Sequence, residues 1–560
     1  MTTAQPEPIE SQYSAGSESS EFVRRAKENQ ERLASALRPD YDVIVCGAGS
    51  SGCVVARRIA ENPDVAVLLL EAGGDDDVPS VMDPHLWPIN LGSDRDWGFV
   101  AEPNPHLNDR SISMSMGKVL GGGSSVNVTS WAHGHKVDWD FFAAESGDPA
   151  WSYQSVLDIY RRIESWTGAA DSRRGTGGPM HVEPVQNPHP CAAAVVDRAR
   201  SMGMPTFDSA NGEMMEGTGG AALLDVVTKD GRRQSVFRSY VFPILDRPNL
   251  TVLTDAVVRR LVLEGQRATG VEFTHRGTVH RIGAQSEVVV SLGAINTPKL
   301  LMQSGIGDEK QLRQFGIPVT VHLPGVGNNF QDHLPFPLVW EFPSNWNNDA
   351  RGQASMFWTS RAGLDSPDMY ACLGAIPFGT AATAARYPLP EKGWFLFGAL
   401  TQPKSRGTVS LTGPGPDDPP RVDANGLSHP DDLANSRLCV QVLREVGNSA
   451  ALRPFVRREV MPGDLSGQEF DAYLRDGATT FWHQVGTAKM GRDAMSVVDG
   501  ELKVYGVEGL RVADGSIMPR LTTGNTMAPC VVIGERAARA VAETHFGTVS
   551  KRQSTGMDIY

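Results

Sequence analysis

His483 lies in FWHQVGTAKMG, residues 481 to 491, between Trp482 and Gln484, with Gly486 three residues on. No second His or Cys sits at metal-ligand spacing around it. Imidazole titrates near neutral pH, so this histidine is a candidate acid or base. Standing alone, such a residue is more often a packed or surface histidine. Far upstream, Gly47, Gly49 and Gly52 give G-x-G-x-x-G, and Glu71 follows nineteen residues after Gly52. That spacing suits a dinucleotide. The first glycine allows a tight turn, the second lets backbone N–H groups approach a pyrophosphate, and the third lets a helix pack on its strand. Ser50 and Ser51 lie at the start of that helix. Glu71, followed by Ala72, can accept both ribose hydroxyls, and its charge would repel a 2′-phosphate.

The elements needed to hold these residues are legible around them. Tyr41 to Cys46 is a short apolar, β-branched run, as a buried parallel strand requires. Val54 to Ile59 reads as helix, and Val65 to Leu70 as a second buried strand ending at Glu71. NAD and FAD are not separated by this pattern alone. At the other end, Asn525 and Thr526 are good helix caps and Pro529 is tolerated in a first turn. Cys530 to Glu543 then reads as helical, with Cys530 a small buried hydrophobe.

Composition limits the remaining possibilities. A chain of 560 residues is too long for one core, so two or more domains are expected. A formal net charge of −13 argues against a nucleic-acid partner, which needs a basic patch. It leans weakly toward neutral or cationic ligands. Six cysteines are scattered with no C-x-x-C, which disfavours a disulfide framework or a zinc site and fits a reducing compartment. No apolar run reaches membrane-span length, and the first 21 residues lack the apolar core of a signal peptide. A cytoplasmic protein is expected, with residues 1 to about 20 a disordered tail and 21 to 37 helical. His133 and His135 have an x-separated spacing without further ligands nearby, so they read as loop residues, and His333 reads as structural.

A second glycine cluster, GKVLGGGSSVN at 117 to 127, places Gly121, Gly122 and Gly123 together, which suits close approach of backbone to a flat or charged ligand. A flexible surface loop is the alternative. With the nucleotide pattern, this segment resembles the first signature of the glucose–methanol–choline (GMC) oxidoreductase family. GAINTPKLLMQSGIG at 293 to 307 looks like the second signature, PGVGNNFQDH at 324 to 333 follows as it does there, and RATGVEF at 267 to 273 resembles a strand after the adenine-contacting segment. VADGSIMPRLTTGNTMAPCVVIGERAARAV at 512 to 541 also matches, so the resemblance runs from about 40 to about 545.

The resemblance implies FAD, a small-molecule alcohol substrate, and oxygen or another electron acceptor. His483 takes the place of the active-site histidine and Asn525 that of its His or Asn partner. Gly117, Val119, Gly122, Gly123, Ser124, Asn127, Val128, Val258, Ala513, Asp514, Asn525, Thr526 and Met527 join Gly47, Gly49, Ser50, Ser51, Gly52, Glu71 and Ala72 around FAD. Some members attach FAD through a histidine just before the first-signature asparagine. Val126 stands there, so non-covalent FAD is expected. The base would be His483, with the hydride passing to flavin N5, while Asn525 bonds the substrate oxygen without adding charge. The helix after Asn525 would aim its positive end at the flavin pyrimidine edge, worth up to ~2 kcal/mol.

The expected fold is α/β: a Rossmann-like FAD-binding domain with an inserted substrate domain built on an antiparallel β-sheet flanked by helices. Residues 38–160, 241–335 and 491–548 would form the FAD domain, 161–240 and 336–490 the substrate domain, and 1–37 a tail and helix. SRGTVSLTG, 405 to 413, reads as a strand of the substrate sheet. Met356, Phe357, Trp358, Phe378, Trp394, Phe395 and Phe397 are candidates for pocket wall or core. Two other readings stay open: an FAD-containing lyase on the same scaffold, like the hydroxynitrile lyases, and a non-catalytic flavin-binding protein. Both a monomer and a homo-oligomer fit the sequence, and no membrane span is expected.

Overall fold

The computed structural model describes residues 20–547. The expected tail falls outside them, save Ser20. The Ser20–Ser35 helix follows, burying Ala26 and Leu33. Asn29 and Gln30 donate to the carbonyls of Leu245, Arg247 and Leu250, which moors this helix to a sheet edge.

The two apolar runs of the nucleotide segment form the strands Asp40–Cys46 and Val67–Leu70. They lie side by side and parallel in a seven-stranded sheet ordered Leu250–Leu253, Val67–Leu70, Asp40–Cys46, Thr278–Val290, Arg267–His275, Ala256–Glu264. Leu510–Val512 pairs in parallel with the end of Thr278–Val290. The parallel core, formed by residues 43–46, Val67–Leu70, Leu250–Leu253, Leu510–Val512 and the end of Thr278–Val290 at 288–290, is buried on both faces, which explains its apolar character. The last two strands of the row are antiparallel and half exposed, and they alternate. Ser50–Ala60 and Met527–His545 pack together on this sheet. Gly534 permits that contact, since a Cβ there would lie 2.7 Å from the Ser51 carbonyl oxygen and from Val54.

A separate six-stranded sheet has the order Arg458–Met461, Phe336–Glu341, Gly393–Leu400, Met369–Ala375, Asp349–Trp358, Gly220–Leu223, antiparallel throughout. One face lies on the Pro430–Gly447 helix, where a Cβ on Gly398 would meet Leu443 at 2.5 Å. Because strand side chains alternate, Phe395 and Phe397 point to the other face, opposite Gly374 and Cys372. That face looks toward the first sheet.

The 405–413 expectation is half right. Thr408–Leu411 is a strand, but it pairs only with Pro420–Asp423 in a two-stranded ribbon apart from the six-stranded sheet. Val409 donates to the Gly327 carbonyl instead. Four alternating residues specify a strand without naming its partner.

Candidate functional site

A cavity of about 480 Å³ runs between the two sheets, from Gly47 and Glu71 at one end to His483 and Asn525 at the other. Its size suits a cofactor or small-molecule site. The floor is two glycine turns in contact. Gly47 has φ +100° and a Cβ there would strike the Ser291 carbonyl oxygen at 2.3 Å. Gly122 has φ +54°, and its missing Cβ would lie 2.8 Å from the Gly49 Cα. Gly49 itself has open space where a Cβ would project. The Ser50–Ala60 helix begins there with no side-chain cap, leaving its first N–H groups for a ligand.

Glu71 is buried at the same end. Its two oxygens accept from the N–H groups of Ala48 at 3.0 Å and Gly73 at 2.9 Å, and burial pushes its carboxyl up to about 7. Each oxygen keeps a second lone pair for a hydroxyl. Asp514 is held similarly, by Gly293 N–H at 2.9 Å, the Thr297 hydroxyl at 2.6 Å and Ser516 N–H at 2.8 Å. An open glycine, an uncapped helix start and a carboxylate at ribose distance in sequence make a cradle that fits a dinucleotide such as FAD.

Most of the residues expected around FAD line this cavity: Gly47, Gly49, Ser50, Ser51, Glu71, Ala72, Gly117, Gly122, Gly123, Ser124, Asn127, Val128, Val258, Asp514, Asn525, Thr526 and Met527. Three stand behind its wall. A Cβ on Gly52 would lie 1.9 Å from the Gly47 carbonyl oxygen, so this glycine serves helix–strand contact. Val119 is fully buried, and its carbonyl accepts from Gly122 N–H to close the turn. Ala513 is buried too, and its carbonyl accepts from the Ser291 hydroxyl.

His483 comes to the far end on a strained turn. Trp482 has φ +60°, a left-handed conformation rare for a bulky side chain and costing roughly 1–3 kcal/mol. In an extended chain, neighbours point to opposite sides; this turn lets Trp482 and His483 both face the cavity. The Thr480 hydroxyl accepts from Trp482 N–H at 2.7 Å, and the Trp482 ring meets Trp87 edge-on at 5.8 Å between centroids. Asp332 accepts from His483 N–H at 3.0 Å and from the Thr480 hydroxyl at 2.5 Å. Burial pushes this carboxyl up to about 7, against the pull of those donors.

Asn525 Nδ2 lies 3.1 Å from His483 Nε2, and the Tyr370 hydroxyl donates to Asn525 Oδ1 at 3.3 Å. The two residues that sequence placed together are therefore in contact across 42 positions of chain. The capping expectation is met in position only: Thr526 is the N-cap of the Met527–His545 helix but makes no side-chain cap bond, and the Asn525 amide is engaged with His483 and Tyr370 instead. The uncapped start lines the cavity. Cys530 is in the helix as expected but half-buried on the cavity wall, with burial pushing its thiol up to about 12.

Other residues escaped sequence reasoning. His333 is fully buried with its Nδ1 2.8 Å from His483 Nδ1, a contact that only tertiary structure reveals. Burial lowers the pKa of both imidazoles, His333 to about 4 and His483 well below its ordinary value, the latter helped by its neighbour. Arg233 is fully buried and, among the described residues, contacts no carboxylate. It donates to Val81, to Ser124 and, at 2.8 Å, to Asn127 Oδ1, bracing the second glycine turn. His133 and His135 are not idle loop residues: His133 bonds buried Glu164, and His135 caps the Lys136–Ser146 helix. Among the candidates for pocket wall, Phe378, Phe395 and Phe397 line the cavity with Phe481 and Trp482, whereas Met356, Phe357, Trp358 and Trp394 do not. Phe357 stacks on Tyr370 at 4.6 Å, and Trp394 on Trp340 at 4.4 Å.

Among the described residues, no helix is long and apolar enough to cross a membrane. Comparison with known proteins agrees with this architecture. Residues 41–335 and 403–534 match the two GMC oxidoreductase family profiles. The oxygen-dependent choline dehydrogenase of Sinorhizobium fredii is 37% identical over 532 residues, covering 89% of this chain and 94% of that protein. The crystal structure of pyridoxine 4-oxidase from Mesorbium loti superposes with a TM-score of 0.84 at 28% identity, covering 89% of this chain and 99% of the other. A fungal aryl-alcohol oxidase shares the fold, with a TM-score of 0.76 at 24% identity over 91% of this chain and 100% of its own. Since two family segments and a relative above one-third identity span most of its length, the chain belongs to the GMC oxidoreductase family of FAD-binding flavin oxidoreductases.

Proposed function

We propose that this chain oxidises the CH–OH group of an alcohol to an aldehyde or ketone, with His483 as base and Asn525 as its partner. The observation that carries this reading is the contact of His483 Nε2 with Asn525 Nδ2 at the end of the cavity opposite the nucleotide turn. A substrate hydroxyl entering there replaces that bond. It donates its proton to Nε2 and accepts from Asn525. Bound FAD supplies the hydride acceptor, and oxygen or another acceptor later removes the electrons. Burial keeps His483 neutral, so it meets the hydroxyl as a base.

Gly47, Gly49, Ser50 and Ser51 would hold the pyrophosphate, Glu71 a ribose, Val258 the adenine, and Gly122 to Val128 with Asp514, Thr526 and Met527 the flavin. Val126 offers no nucleophile, which supports FAD held without a covalent bond. Denaturation with acid should release all of the yellow chromophore to the supernatant, and colour left on the precipitate would contradict this. The two sheets support a division in which 38–160, 241–335 and 491–548 carry the cofactor domain and 161–240 and 336–490 the substrate domain. Gly220–Leu223 joins the same sheet as the strands of 336–490, as that division requires.

The wall near His483 supports an alcohol with an aryl or apolar body. Phe378, Phe395, Phe397, Phe481 and Trp482 line it. The carboxylates lining the cavity are Glu71, Asp96, Asp417 and Asp514, of which Glu71, Asp96 and Asp514 accept from backbone N–H groups. A panel of alcohols mixed with the enzyme without oxygen tests the reading. Aryl or other apolar alcohols should bleach the visible flavin bands. No bleaching by any alcohol would favour the lyase reading.

A further inference from the structure

We propose that His333 is a positioning residue that fixes the proton of His483 on Nδ1 and so leaves Nε2, the nitrogen facing Asn525 and the cavity, with its lone pair free. The inference deepens the reading of His483 as base, and it rests on counting protons along one hydrogen-bonded chain.

The chain starts at a carbonyl. The Thr401 carbonyl oxygen lies 2.9 Å from His333 Nε2 and can only accept, so that nitrogen carries the hydrogen. In a neutral imidazole the other nitrogen is then bare. His333 Nδ1 therefore accepts from His483 Nδ1–H across 2.8 Å. His483 in turn has a bare Nε2. Asn525 must then present its N–H to that nitrogen at 3.1 Å, which leaves its Oδ1 for the Tyr370 hydroxyl at 3.3 Å. Every donor along this line meets an acceptor, and reversing either ring puts two hydrogens or two lone pairs face to face.

The same arrangement serves the proton-transfer step. When Nε2 takes the hydroxyl proton, the ring becomes an imidazolium whose Nδ1–H still donates to neutral His333, now as a stronger, charge-assisted bond. His333 thus orients the base as the third group of a catalytic triad does, but without a charge. Protonation of His333 instead would set two N–H groups against each other at 2.8 Å. The other titratable side chains beside the pair are Asp332, which holds the His483 backbone, and Tyr370, whose hydroxyl is committed to Asn525.

Histidine-selective ¹⁵N NMR of the FAD-loaded protein, with His483→Gln to assign the signal, reads the tautomer directly. A protonated Nδ1 and bare Nε2 on His483 is expected, and a protonated Nε2 or a mixture would overturn the proposal. This result stands whether or not any alcohol is oxidised, so it separates failure of the relay from failure of the base assignment. The kinetic arm uses His333→Leu, which removes the acceptor, and His333→Asn, whose Oδ1 restores one. His333→Leu should lower the limiting rate of flavin reduction about 10²-fold with the alcohol KM little changed. His333→Asn should recover at least about tenfold of that loss. An unaltered rate in His333→Leu, or equal losses in both variants, would overturn the proposal. Should the leucine variant not fold, the tautomer and the rate of the asparagine variant still decide.

Discussion

The amide of Asn525 lies 3.1 Å from His483 Nε2, although the two residues belong to different parts of the chain: one to a strained turn, the other to the loop before the Met527–His545 helix. The distance is that of a hydrogen bond which a substrate oxygen can take over from both sides. Asn525→Ala should therefore lower the limiting rate of flavin reduction by about 10²-fold, the usual cost of one donor at a developing oxyanion. Stopped-flow absorbance without oxygen measures it. A rate within twofold of wild type would remove Asn525 from the reaction.

Gly49 and Gly52 separate cofactor binding from folding. A Cβ on Gly49 meets nothing and the residue is not left-handed, so Gly49→Ala should fold with little change in thermal midpoint. Its methyl group projects into the cradle, and FAD content per chain should fall severalfold. Gly52→Ala should instead destabilise the apoprotein by about 1–3 kcal/mol, because its Cβ would lie 1.9 Å from the Gly47 carbonyl oxygen. Apoprotein melting and the ratio of flavin to protein absorbance test both. Equal effects on both measures for the two variants would contradict this division.

The parts of this fold that a reader of sequence can recover are those written in local patterns. The apolar runs at 41–46 and 65–70, the glycine spacing and the helix after Asn525 all appear in place. The contact of His483 with Asn525 came from resemblance, since nothing local joins positions 42 apart. Three features were not legible. Thr408–Leu411 alternates as a strand should, yet pairing is a tertiary choice, and it joins Pro420–Asp423. Asn525 has the residue type of a cap, but a short amide serves whichever partner lies nearest, here His483. His333 read as structural because its partner is 150 residues away. The only sequence signal that could have marked it was its place at the end of PGVGNNFQDH, the stretch that follows the second signature.

The buried imidazoles set the response to acid. The folded-state value of His333 is lowered to about 4 and that of His483 also lies well below the ordinary 6.5. A lowered histidine contributes stability that is present above 6.5 and is lost as pH falls through the folded value. Glu71 and Asp332, raised to about 7, act in the opposite sense: their contribution is present in acid and lost as pH rises through 7. Comparison with His333→Asn isolates the histidine term. The wild type should exceed the variant in melting temperature at pH 7.5, and the gap should narrow as pH falls from 6.5 to 4. A gap that widens in acid would contradict the assignment.

The most direct test of the account is removal of the base itself. With an alcohol that reduces the wild-type flavin, His483→Ala should retain FAD and reduce it about 10²–10⁴-fold more slowly when mixed without oxygen, the usual worth of a general base. Reduction at the wild-type rate in that variant, with its cofactor fully loaded, would contradict the central claim that His483 takes the substrate proton.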